Sequence, residues 1–276
     1  MPVLLGTSGW QYRDWRGGFY PRSLPQRSWL EHHARAFATV EVNNTFYRLP
    51  ERSVFESWAA RTPADYVVTV KASRFLSHLR RLRDPQEPVH RLMDRVAGLG
   101  VKLGAVLLQL PPDLQADTGL LDACLACFPE GTHVVVEPRH DSWWNADLRD
   151  VLTYRAAALC WADRASQPVA PLWRTASWGY LRLHLGGGED VWPYERSVLA
   201  RWADLLCETW TDDEEVYVYT NNDPGGAALR DVATLGELLR ERGRTTTRFP
   251  PRELVWRPEP APDERAGEGV SPPVPR

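Results

Sequence analysis

The stretch Tyr66-Val67-Val68-Thr69-Val70-Lys71-Ala72-Ser73 is rich in β-branched residues and reads as a strand that ends on a lysine. Successive strand side chains point to opposite faces, so Val68 and Val70 share one side while Lys71 and Ser73 share the other. The lysine is conspicuous because 31 of the 33 basic residues are arginine. A guanidinium is always charged, whereas a buried ammonium can lose its proton and act as a base or Schiff-base nucleophile. The competing reading is a lysine snorkelling out of an edge strand.

Seven more runs of this kind recur: Val3 to Ser8, Thr39 to Asn43, Ala105 to Leu110, His133 to Pro138, Ala157 to Ala162, Gly179 to His184 and Glu215 to Asn221. Segments with helical apolar spacing separate them, at Gln26 to Phe37, Glu51 to Arg61, Pro85 to Gly98, Thr118 to Phe128, Trp143 to Tyr154, Tyr194 to Trp210 and Ala227 to Arg242. The connection Ser166 to Ser177 has no clear helix. Strands that alternate with helices pair in parallel through right-handed crossovers, and eight such units predict an α/β fold of the (β/α)8 TIM type. An open doubly wound sheet is the alternative, but no Gly-rich dinucleotide turn follows the first strand.

The alternation phase is shared along the chain. One set is aliphatic and should meet the helices: Val40, Val42, Val68, Val70, Val106, Leu108, Val134, Val136, Leu181, Leu183, Val216 and Val218. The other set turns polar toward the strands' C-terminal ends: Ser8, Glu41 with Asn43, Lys71 with Ser73, Gln109, Glu137 with Arg139, Asp163, Arg182 with His184, and Tyr219 with Asn221. Barrel enzymes build their sites at that end. Each residue taken singly fits a satisfied polar core group. A barrel interior that holds Glu, Lys, Glu, Arg and His without use would cost several kcal/mol of desolvation per unpaired ion, which favours a site.

Composition narrows the function classes. The body is read as one domain, residues 1–256, followed by a Pro- and Glu-rich tail, 257–276, with no periodicity and an expectation of disorder. A net charge of −3 gives no global reason for nucleic-acid or membrane affinity, although Arg74, Arg80, Arg81 and Arg83 form a local basic run. No apolar stretch approaches the roughly 20 residues of a membrane span and no leader is evident, so a cytoplasmic protein is expected. Cys124 and Cys127 form a C-x-x-C inside a helical pattern, without a second pair at ligand spacing; with Cys160 and Cys207 they read as reduced structural thiols. Several of the 13 Trp and 9 Tyr fall near the expected mouth, among them Trp10, Tyr47, Trp143, Trp161 and Trp192. Such faces bury sugar rings and nucleobases.

The motifs Gly6-Thr7-Ser8-Gly9-Trp10, Glu41-Val42-Asn43-Asn44-Thr45-Phe46-Tyr47, Lys71-Ala72-Ser73-Arg74-Phe75 with His78, Gln109-Leu110-Pro111-Pro112, Glu137-Pro138-Arg139-His140-Asp141-Ser142-Trp143, Arg182-Leu183-His184 and Tyr219-Thr220-Asn221-Asn222-Asp223 resemble, in order, the signatures of the YecE-like domain-of-unknown-function family. The resemblance implies a TIM-type barrel and brings no reaction and no catalytic assignment. Leu185, Thr220 and Leu229-Arg230-Asp231 depart from the family pattern around strands seven and eight.

The residues point first to a barrel enzyme without metal or other cofactor, acting on a small polar or anionic substrate such as a sugar, sugar phosphate or nucleotide fragment. Glu41 and Glu137 would be acid and base, one of them poised near neutrality, Lys71 an electrophile or nucleophile within salt-bridge reach of a carboxylate, and Arg139, Arg182 and His184 an anion clamp. Ser8, Trp10, Asn43, Tyr47, Arg74, Gln109, His140, Trp161, Asp163, Tyr219, Asn221 and Asn222 would complete the substrate surface. A divalent-metal isomerase or nuclease using Glu137, Asp163 and His184 as ligands stands second. A non-catalytic binder of nucleic acid or a partner through the aromatic mouth and the Arg74 to Arg83 run stands third.

Overall fold

The computed structural model describes residues 1–185, 193–221 and 224–255. Trp192, Asn222, Asp223, Trp256 and the segment 257–276 lie outside the described residues.

Among the described residues ten strands form one sheet: β1 (Val3–Ser8), β2 (Thr39–Val42), β3 (Val67–Lys71), β4 (Leu103–Gln109), β5 (His133–Glu137), β6 (Ala158–Leu159), β7 (Trp161–Arg164), β8 (Gln167–Pro168), β9 (Gly179–Leu183) and β10 (Val216–Thr220). Their order is β6-β5-β4-β3-β2-β1-β10-β9-β7-β8. β6 and β7 are halves of the sixth barrel strand, broken at Cys160. The first half pairs with β5 and the second with β9, all in parallel, so the continuous chain closes a TIM-type barrel.

The break has a local cause. β9 begins only at Gly179, which the β7–β9 register sets level with Leu159, so β9 offers no preceding residue to continue the ladder beside Ala157. The Thr175 hydroxyl takes that place, accepting from Leu159 N at 2.8 Å and donating to Ala157 O at 2.7 Å, which satisfies buried backbone groups that a ladder would have used. After β7 the chain reverses through Ala165 and Ser166, with φ of 54° and 64°. Positive φ at both central residues is the type I′ hairpin geometry, and it carries β8 back antiparallel along β7.

The helices are α1 (Trp29–Ala36), α2 (Asn44–Tyr47), α3 (Arg52–Ala60), α4 (Gln86–Val96), α5 (Thr118–Leu125), α6 (Ala146–Tyr154), α7 (Arg196–Thr209), α8 (Ala227–Glu241) and α9 (Arg252–Val255). The helix expected from Trp143 starts instead at Ala146, because the Asn145 side chain accepts from Leu148 N at 2.9 Å and caps it there. Asp117 caps α5 in the same way through Leu120 N. The Ser166 to Ser177 connection is without a helix. Among the described residues no helix is long and apolar enough to cross a membrane.

Two apolar layers follow from the alternation. Val40, Val42, Val68, Val70, Val106, Leu108, Val134, Val136, Leu181, Leu183, Val216 and Val218 join the core shared with the helices. Inside the barrel, Leu4, Ala105, Leu107, Val135, Ala158, Cys160, Ala162, Tyr180, Tyr217 and Tyr219 fill the lower part. At about 1.5–3 kcal/mol for each buried aliphatic side chain, the outer layer fixes the register, and a one-residue slip would turn the charged set into it. Gly6 permits close contact of β1 with β2, since a Cβ there would lie 2.4 Å from Thr39 O. Ser8 is thereby set opposite Glu41.

Candidate functional site

Six strands contribute to one hydrogen-bonded network at the C-terminal end of the barrel. Ladder register puts Ser8 beside Glu41 and Gln109 beside Glu137. Glu41 Oε1 accepts from Ser8 Oγ at 2.7 Å, Asn43 Nδ2 at 3.2 Å and Arg182 Nη2 at 2.8 Å, while Oε2 accepts from the Tyr180 hydroxyl at 2.5 Å. Arg182 reaches across to Glu137, donating from Nη1 to Oε2 at 2.5 Å. Gln109 Nε2 donates to that same oxygen at 2.8 Å, and Gln109 Oε1 accepts from Lys71 Nζ at 2.8 Å. The remaining Glu137 oxygen takes Arg139 through Nη2 at 2.7 Å and Nε at 3.2 Å.

The charges balance in pairs. Two carboxylates face two guanidiniums, and burial of the central Glu41–Arg182–Glu137 triad is nearly complete, at 0, 1 and 3% exposure. Burial alone would raise both carboxyl pKa values. For Glu41 the charge of Arg182 and hydrogen bonds from Tyr180, Ser8 and Arg182 outweigh it and hold the group below the usual range. For Glu137 the charge of Arg182, the contact with His184 and the charge of Arg139 hold it well below. Both glutamates are therefore ionised, which corrects the expectation that one would sit near neutrality.

Lys71 is the surplus cation. It has no carboxylate within 4.0 Å among the described residues, contrary to the expected ion pair, because Arg182 already occupies both glutamates. Its ammonium lies 4.3 Å from the centroid of the Phe46 ring. Burial, and next the charge of Arg182, push its pKa down to about 8 against the pull of Glu41 and Glu137. Downstream of β3 a π-helical turn, Phe75–Leu79, brings His78 edge-on to Phe46 with ring centroids 4.8 Å apart. π-Turns of this kind recur at functional sites.

His184 completes the other side. Asn221 Nδ2 donates to its Nδ1 at 3.1 Å, so Nε2 carries the proton and faces Glu137 Oε1 at 3.5 Å. Burial, followed by the charge of Arg182, lowers its pKa, and the ring is neutral at pH 7. Glu137, Arg139, His184 and Asn221 line a cavity of about 440 Å³ together with Cys160 and Arg164. That volume lies within the range of small-molecule sites. Val169 and Ala170, brought in behind β8, form part of its rim. Arg164 is exposed and, among the described residues, has no acidic partner within 4.0 Å.

The other expected site residues fall into groups. Ser8, Asn43 and Trp10 line a smaller pocket of about 150 Å³ on the Glu41 side, where Trp10 packs edge-on against Trp58. Tyr47 is 73% exposed at the end of α2, and Arg74 is exposed beyond β3. His140 accepts from Ser142 N at 3.1 Å and so caps the turn Asp141–Trp143. Tyr219 lies below the network, bonded to the Thr39 and Thr69 hydroxyls at 2.7 and 2.9 Å. Arg182 was expected in an anion clamp, but it is sealed between the glutamates and lines no described cavity. Asn222 lies outside the described residues.

Strand six reverses the expected phase. Trp161 and Asp163 point to the helix layer: Trp161 packs on Trp210 with centroids 4.6 Å apart, and Asp163 accepts from the Tyr194 hydroxyl at 2.7 Å and Trp202 Nε1 at 2.9 Å. Two neutral donors satisfy a carboxylate there, so a polar residue at a strand end does not by itself mark the inner face. The inward positions are Cys160 and Ala162, with Arg164 next in phase. This also separates the metal-ligand set Glu137, Asp163 and His184. Among the described residues no group of three or more His, Cys, Asp or Glu is arranged to hold a metal ion. Tyr180 and Arg164 were missed, the first because only the C-terminal ends of the strands were read for polar groups and Tyr180 lies one inward position before Arg182, the second because strand six was read out of phase.

Comparison with known proteins gives the lineage. The family model described as "Protein of unknown function DUF72" matches residues 4–254. The UPF0759 protein YecE of Escherichia coli (strain K12) is 30% identical over 148 residues, 51% of this chain and 50% of the relative, so the match spans about half the length of each. The UPF0759 protein YunF of Bacillus subtilis (strain 168) is 22% identical over 269 residues, 86% of this chain and 94% of the relative. The crystal structure of a DUF72 family protein from Thermotoga maritima MSB8 superposes with a TM-score of 0.77 at 24% identity, covering 87% of this chain and all of that one, and supports the barrel fold. With a family match across nearly its whole length, the chain belongs to the DUF72 family.

Proposed function

We propose that the protein is a barrel enzyme that acts on a small polar or anionic substrate, such as a sugar, sugar phosphate or nucleotide fragment, bound in the cavity beside Glu137. The observation that carries this reading is the ion network itself, which ends on groups a ligand can reach: Arg139 and His184, at 34% and 14% side-chain exposure, against 0 to 4% for the triad behind them. Arg139 and Arg164 would receive the anionic part of the substrate, since guanidinium forks match phosphate and carboxylate oxygens. His184 would move the proton: its Nδ1 lone pair faces Asn221, and an imidazolium formed there would have Glu137 beside its Nε2 proton. Hydrolysis, elimination and isomerisation all use such a pair, and the substrate decides among them.

The test is a melting series with inorganic phosphate and a sugar phosphate. Ligand at about 100 times its Kd adds about 2.7 kcal/mol, which is a rise of roughly 5–10 °C for a chain of this size. Double replacement Arg139→Ala with Arg164→Ala should remove the shift, while the ligand-free protein still melts cooperatively at a temperature lowered by the roughly 1–3 kcal/mol that a charged hydrogen bond to a buried carboxylate is worth, since Glu137 keeps Arg182 and Gln109. A shift that survives the double replacement, or stabilisation by divalent metals alone, would overturn the reading.

A further inference from the structure

Resting on the reading of the mouth as an enzyme site, we propose that Lys71 forms a covalent imine with a substrate that carries an aldehyde or ketone group.

The argument begins from two lysines in two settings. Lys102 is fully occupied: its ammonium donates to Ala59 O at 2.6 Å, Thr62 O at 2.8 Å and Thr62 Oγ1 at 3.0 Å, closing the chain end of α3. Lys71 has one acceptor, Gln109 Oε1, plus the Phe46 ring, and is partly exposed at the end of β3. Its other N–H directions meet no acceptor among the described residues. Glu41 and Glu137 could have neutralised it, yet both are committed to Arg182. The result is a partly exposed amine at the end of β3 whose charge meets one neutral acceptor and the Phe46 ring but no carboxylate, and burial together with Arg182 brings its pKa to about 8. His78, on the same Phe46 ring, is kept neutral by its burial and by the charges of Lys71 and Arg74. An arginine could not serve, because guanidinium keeps its proton throughout the working range.

The step balances with water as its one by-product. The Lys71 Nζ lone pair attacks the carbonyl carbon, a C–N bond forms, and the C=O π pair moves to oxygen, which takes a proton from solvent. Nitrogen then passes one proton to the hydroxyl, which departs as water and leaves the protonated imine C=NH+; loss of its remaining N–H proton returns to solvent the proton first taken up. Nothing is oxidised or reduced.

The experiment uses the full chain with glyceraldehyde and sodium cyanoborohydride, which reduces an imine to a stable amine, followed by peptide mapping. At pH 7.5 an amine with a pKa of about 8 is neutral on the order of a hundredfold more often than an ordinary lysine; burial lowers the pKa of Lys102 as well, but its ammonium is held by three oxygens, so the Lys71 adduct should still form roughly tenfold faster than that of Lys102. The rate should climb through pH 8, and the Met1 amine is read on its own peptide. Lys102 labelled as fast as Lys71, or Lys71 left unmodified, would overturn the proposal. Both lysines are read in one folded molecule, so no variant has to fold for the result to count. Lys71→Arg, checked by its melting temperature, should lose the adduct. If Lys71 stays unmodified while the phosphate shift persists, the imine falls and the cavity reading stands; if the phosphate shift is absent as well, both fall.

Discussion

Glu41 and Glu137 share one guanidinium but differ in what surrounds their remaining oxygens. Around Glu41 the further donors are neutral and built into the barrel: Ser8 from β1, Tyr180 from β9 and Asn43 just past β2. Around Glu137 the second oxygen meets Arg139 and His184, which stand beyond the strand ends and border the cavity. A buried charge closed on all sides by strand-borne donors is a part of the scaffold. The same charge met by side chains that solvent can reach is a part that can exchange partners. Arg182 ties the two, so the rigidity of the Glu41 side is passed to the Glu137 side through one planar group with both Nη atoms bonded.

The largest expected effect comes from removing that tie. Arg182→Met leaves two carboxylates buried without their shared cation and should destabilise the fold by about 3–5 kcal/mol in urea unfolding. A loss below about 1 kcal/mol would mean that the two sides are not coupled through Arg182. Next in size is the contrast between the glutamates. Glu41→Gln should cost about 3 kcal/mol, because Arg182 then keeps only Glu137 as a charged partner and the Glu41 side of the seal has no group that can turn to water. Glu137→Gln should cost about half as much, since Arg139 can turn to water. Both carboxyl pKa values are lowered in the fold, so their contribution is present above the unfolded value of about 4.3 and is lost as pH falls through the folded ones. The acid limb of the stability curve should accordingly be shallower in Glu41→Gln than in the parent. Equal costs for the two replacements would erase the distinction.

The smallest effect has the opposite sign. Lys71 has a folded pKa near 8 against about 10.4 unfolded, so between those values the unfolded chain binds more protons and stability rises with pH. Below pH 8 the charged amine therefore costs stability. Lys71→Met should stabilise the protein at pH 7 by on the order of 1–2 kcal/mol, after allowance for partial exposure and for the acceptor lost by Gln109, with the gain fading toward pH 10. Destabilisation at every pH would show that Lys71 is structural.

How far the sequence could be read depended on whether a residue's environment is set by its own strand. The valine and leucine alternation in β2, β3, β4, β5, β9 and β10 located both faces, and with them the inward Glu41, Lys71, Glu137 and Arg182. Strand six defeated the same logic. Its inward residues, Ala158, Cys160 and Ala162, are small and give no polar signal, while the outward Asp163 is satisfied by Tyr194 and Trp202 from beyond the strand. Which ions pair was also beyond reach, since Arg182 beats Lys71 to both carboxylates by geometry across the barrel. Arg164 at the cavity wall became legible only with the break at Cys160 and the turn through Ala165 and Ser166 in place.

The difference between the two glutamates can be watched directly. In a sample with glutamate side chains labelled with 13C at the carboxyl carbon, Glu41→Gln and Glu137→Gln assign the two resonances, and phosphate is then titrated in. Glu137 should shift in proportion to the occupancy that the melting series reports, while Glu41 stays fixed. A Glu41 resonance that moves as far as that of Glu137, or a Glu137 resonance that stays still while phosphate stabilises the protein, would contradict the account.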